Sequence, residues 1–141
     1  MWDYILTFAG GAATGVIIYK IIIGVNNNKN KDKSKILEEC FGKPMWTTNF
    51  TIDEAKEWIT VRKQYLENGA KAVIMKINDN TLKSLGKELN IGFELENMMI
   101  VAIVNTQSSY IIDSVLIKYE TLDQNLEKTL AKGNGVLVVE R

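Results

Sequence analysis

Histidine is absent from the 141 residues, and cysteine and proline occur once each, at Cys40 and Pro44. A single cysteine excludes a disulfide framework. With no histidine it also excludes a Cys/His zinc site, every imidazole-based catalytic scheme and a histidine pH switch. Charge of either sign is not in excess: 17 Lys and Arg balance 17 Asp and Glu. A neutral chain gives no electrostatic reason to expect nucleic acid. No G-x-x-x-x-G-K-[ST] loop or Gly-rich dinucleotide fingerprint occurs, and Asn78-Asp79-Asn80 lacks the glycine and distal glutamate of a calcium loop. No cofactor, metal or catalytic residue is expected, and the chain does not read as an enzyme.

What is present is unevenly distributed. Residues 1–35 carry Lys20, Lys29, Lys31, Lys33 and Lys35 against Asp3 and Asp32. The remainder is acidic by the same margin. From Tyr4 to Val25 the chain reads YILTFAGGAATGVIIYKIIIGV, with Lys20 as its single charge. As one helix this run reaches roughly 33 Å, enough to cross the hydrocarbon core. A cleaved signal peptide would have a basic start and a shorter core. A buried core helix is disfavoured because the rest of the chain offers little domain to cover it. The expectation is therefore a transmembrane anchor (1–25), a polar Lys/Asn linker (26–35) and a globular domain (36–141).

The lysines following Val25 place the N-terminus outside and the domain in the cytoplasm of a single-pass cell-membrane protein. Trp2 and Tyr4 suit one membrane interface, and Lys20 can snorkel to the other. Thr7, Gly11 and Gly15 recur every four residues, a small-residue stripe suited to helix packing. The expected partners are thus the lipid bilayer, a second copy or membrane protein through that stripe, and an unidentified protein for the domain.

Residues 36–141 alternate helical and strand patterns. A short helix over ILEECF should end at Gly42. Thr51 and Glu54 form a capping box that opens a helix running to Gly69. AVIMKI (72–77), MMIVAIV (98–104), YIIDSVLIKY (110–119) and GVLVV (135–139) read as strands, and MWTTNF (45–50) as a further edge strand. Residues 98–104 should be central, and the short turn after them makes the next strand antiparallel. Leu82, Leu85 and Leu89 mark one more helix. Thr121 and Gln124 form a second capping box before Leu122, Leu126 and Leu130, and Gly133 closes that helix. The fold class is α+β: a mixed four- or five-stranded sheet packed with about three helices.

Candidate chemistry is sparse. Cys40 reads as a small buried hydrophobe. Asp113 interrupts an apolar strand and is ordinary if it points outward, of interest if inward. Trp46, Trp58 and Tyr65 read as core, or as a ligand or partner surface. The favoured function is a membrane-tethered interaction or scaffold module. A tethered small-ligand sensor is the alternative, and a carboxylate-dependent enzyme the third reading.

Overall fold

A computed structural model describes residues 5–8, 11–27, 32–78, 81 and 97–140. In chain order the elements are β1 (Ile5–Phe8), α1 (Gly11–Asn27), α2 (Lys33–Phe41), β2 (Met45–Phe50), α3 (Ile52–Val61), α4 (Lys63–Glu67), β3 (Lys71–Lys76), β4 (Met98–Asn105), β5 (Tyr110–Leu122), α5 (Gln124–Lys132) and β6 (Val136–Glu140). The fold is α+β. Five strands in the order β6-β3-β4-β5-β2 form a mixed sheet, which the short β1 extends beside β6. All neighbours are antiparallel except β2 and β5, which run parallel.

β4 sits between β3 and β5, and Met98 to Val104 are all buried. Alternate side chains of a strand point to opposite faces. An apolar strand in this position therefore makes both faces of the sheet apolar and demands cover on each. One face carries Val73, Met75, Met98, Ile100, Ala102, Val104, Leu116, Val136 and Val138 beneath α1 and α2. The other carries Ala72, Ile74, Met99, Val101, Ile103, Ile117, Leu137 and Val139 beneath α3, α4 and α5. The expected strands and the antiparallel β4–β5 hairpin are all observed, with β2 at the sheet edge.

The continuous apolar helix expected over Tyr4–Val25 is resolved into two elements. Ile5–Phe8 pair with Leu137–Glu140 as a strand, and a 17-residue helix follows. Gly11 at the helix start has φ +80, a left-handed conformation that suits a change of direction between elements. Seventeen residues reach about 26 Å, short of the ~30 Å hydrocarbon core. Among the described residues no helix is long and apolar enough to cross a membrane. The domain also has the apolar face that the sequence did not reveal. Ala13, Ile17, Ile18 and Ile21 of α1 are buried against it.

Two further expectations are corrected. The helix from Thr51 starts as expected, with Glu54 N–H donating to Thr51 Oγ1 at 3.1 Å. It breaks at Arg62, whose φ and ψ of −108 and 21 leave the helical region, so α3 and α4 are separate. The second capping box does not form. β5 continues to Leu122, Asp123 is the N-cap, and Thr121 Oγ1 instead donates to Thr48 O at 3.2 Å and lies 3.0 Å from Asn49 Oδ1. Sheet pairing to β2 has taken the threonine from the helix end. The expected helix with Leu82, Leu85 and Leu89 lies outside the described residues.

α1 and α2 meet at Gly24. A Cβ there would lie 2.8 Å from Cys40 Sγ and 3.1 Å from Ile36 Cγ2. Glycine thus sets the closeness of the two helices. Gly24→Ala should destabilise the protein by about 1–3 kcal/mol by overpacking, despite alanine's better helix propensity. Cys40→Ala in the same chain should restore most of the loss in urea unfolding. Equal effects with and without Cys40 would show that Cys40 is not the contact that sets the helix spacing.

Candidate functional site

Among the described residues an apolar hollow lies between α3 and the strands β4, β5 and β2. It has a volume of about 360 Å³. Val101, Val115 and Ile117 form its floor, Met45 and Phe50 one wall, and Trp58, Val61 and Arg62 the other, with Glu54 and Glu57 on the helix side. Glu54, Glu57, Trp58 and Val61 recur at three- and four-residue steps on α3, so they share a face. The capping hydroxyl of Thr51 anchors the first turn of that helix.

Arg62 fixes the end of the wall. Its Nε donates to Asp113 Oδ2 at 2.7 Å, and its Nη1 donates to Trp58 O at 2.9 Å. The guanidinium lies 3.8 Å from the centre of the Trp58 ring. A cation over an indole face is stabilising, more so when partly desolvated. One side chain therefore ties β5, the end of α3 and the indole together. Asp113 shares a sheet face with Val115 and Ile117, so it points toward α3 and remains half-exposed. A bulge opposite Ile103 and Val104 leaves Ile112 as an extra residue and turns Ile111 to the α1 face.

The three expected aromatics are dispersed. Trp58 lines the hollow. Trp46 is 72% exposed on β2, with Lys118 Nζ 5.3 Å from its ring centre. Tyr65 lines a separate hollow of about 290 Å³ with Asn68, Asn105, Gln107 and Tyr110. Sequence reasoning missed Met45, Val61, Arg62 and the glutamates. The one signal available was Arg62 four residues after Trp58, a spacing that brings both to one helix face.

The residues proposed for the membrane helix are also separated. Gly11 and Gly15 are exposed on α1, and a Cβ at either would meet nothing within 4 Å. Thr7 is in β1 opposite Val138, not on the helix. Lys20 is exposed. Trp2 and Tyr4 lie outside the described residues. Among the described residues no group of three or more acidic, cysteine or histidine side chains could hold a metal.

Cys40 is held between α1 and α2, its thiol 3.9 Å from Lys20 O. Burial pushes its pKa up; nearby Lys20 opposes this and Glu39 adds to it. Tyr119 is likewise raised, by burial and then by Glu127. Comparison with protein-family models, curated proteins and solved structures returns no match.

Asp113→Asn should cost less than about 1 kcal/mol, because the ion pair is partly exposed. Arg62→Ala should cost more, about 1–2 kcal/mol, because it also loses the Trp58 carbonyl bond and the indole contact. Urea unfolding distinguishes the two; equal losses would reduce the role of Arg62 to the ion pair. For Cys40, a raised folded pKa favours the protonated thiol. Its contribution to stability is complete below the ordinary thiol range, near pH 8.5, and is lost as pH rises through the folded value. Iodoacetamide should modify native Cys40 several-fold more slowly than the urea-unfolded chain at pH 8, the gap closing at higher pH.

Proposed function

We propose that the chain is a membrane-held interaction module, in which the N-terminal apolar segment attaches it to a lipid bilayer and residues 36–141 bind a protein partner. The attachment rests on one observation: apart from Lys20, Thr14 and the closing Asn26-Asn27, α1 is apolar, and the sheet and α2 together leave part of that apolar surface uncovered. Tyr19 is 66% exposed and Ile23 38%, with Gly11, Ala12 and Gly15 open and Lys20 exposed beside them. An exposed apolar strip with a lysine beside it suits the headgroup boundary of a membrane. Docking on the sheet also leaves the Thr14 hydroxyl buried with no hydrogen-bond partner among the described residues, a cost of about 1–3 kcal/mol. The lysines between residues 29 and 35 follow α1 closely in the sequence, and each is worth about 1 kcal/mol at an anionic surface.

Two attachment geometries share this chemistry. With α1 on the sheet, its outer face lies in the headgroup boundary. Withdrawn from the sheet, the 22-residue run is long enough to span, with the N-terminus outside and the domain cytoplasmic. Gly11 and Gly15 then suit a second helix, from another copy or a membrane partner. The interaction role draws support from Met45 and Val61, exposed apolar side chains at the rim of the hollow, and from Trp46, exposed on the other face of β2. The hollow beside Trp58 equally favours a second reading, a tethered sensor for a small apolar ligand.

Cell fractionation of the full chain tests the attachment. It should sediment with membranes; resistance to alkaline carbonate would mark the spanning form, and release the surface-bound form. Tyr19→Glu/Ile23→Glu should shift most of it to the supernatant. A wild-type chain found wholly in the supernatant would overturn the attachment.

A further inference from the structure

The binding surface can be given a partner chemistry. β2 ends the sheet, and no described strand pairs with its far edge. An open edge is a template for another strand. β2 runs along the wall of the hollow between α3 and β5, to which it contributes Met45 and Phe50. The rim there is both apolar and acidic. Val61 is 71% exposed and Met45 45%. Glu54 and Glu57 are exposed, and neither forms an ion pair with a described residue. The one cation in the lining, Arg62, is already matched by Asp113. The uncompensated charge is therefore negative, and a cation beside an apolar group would complement it.

We propose that an extended segment of a partner protein adds to the open edge of β2, seating an apolar side chain between α3 and β5 and setting an adjacent Lys or Arg against Glu54 and Glu57. This rests on the reading of residues 36–141 as a binding module. The backbone pairing supplies affinity and the hollow supplies selectivity. An acidic segment is rejected by the two carboxylates.

A random peptide library displayed on phage, panned against the full chain in detergent micelles, tests this. The enriched peptides should share an apolar residue next to Lys or Arg. A synthetic copy should bind at least tenfold more weakly to Glu54→Lys/Glu57→Lys and to Val61→Glu. All three positions are exposed, so circular dichroism should show an unchanged fold. Bound peptide should slow hydrogen exchange at the amides of Met45–Phe50. Enriched peptides that bind both variants as well as wild type, or leave β2 exchange unchanged, would overturn the β2 site and leave the module reading standing. Failure of any peptide to enrich would remove both. Self-association abolished by the same substitutions would replace the partner with a second copy.

Discussion

β4 is buried along almost its whole length, and the rest of the molecule depends on that. A central strand with no solvent-facing side gives a sheet with two apolar faces. Each must be covered, and the chain supplies cover from different parts of its sequence. The N-terminal helices α1 and α2 close one face; α3, α4 and α5 close the other. Fully burying an aliphatic side chain contributes about 1.5–3 kcal/mol. The isoleucines of α1 are therefore a substantial part of what holds the first layer.

The same isoleucines give α1 a divided character. A helix that only covers a sheet keeps a polar outer side, yet α1 presents Tyr19 and Ile23 outward beside Lys20. Its residue content suits hydrocarbon as well as it suits the sheet. Gly24 lets α2 approach, and α2 places Cys40 in the seam, so the thiol reports on whether the two helices are together.

At the other end of the domain the geometry is set by one arginine. Arg62 stops α3, bonds the last carbonyls of the helix region and reaches Asp113 across the layer. The resulting wall keeps Trp58 in place and leaves Val61 and the glutamates facing outward. β2, joined to the sheet by parallel pairing, completes the hollow and is the last described strand at that edge of the sheet. An apolar hollow, an open edge and unmatched carboxylates thus occupy one place.

The sequence alone determined the α+β class, the strands β2 to β6, the central position of residues 98–104 and the Thr51 cap. These are local patterns: apolar runs of strand length, turn residues and a hydroxyl three residues before a glutamate. Only the tertiary structure showed Ile5–Phe8 paired with β6 and α1 lying on the sheet. The hydropathy of Tyr4–Val25 describes a transfer out of water and does not distinguish a bilayer from a sheet face built by distant residues. The structure likewise decided that Thr121 pairs with β2 instead of capping a helix, since the competing acceptors lie more than seventy residues away. Asp113 was unreadable for a related reason: alternation along a strand separates inside from outside only when one face meets water, and here helices cover both. The candidate site was legible only as three aromatics, of which the fold retains Trp58. Its other parts are brought together by the parallel β2–β5 pairing and the break at Arg62, which depend on contacts between layers.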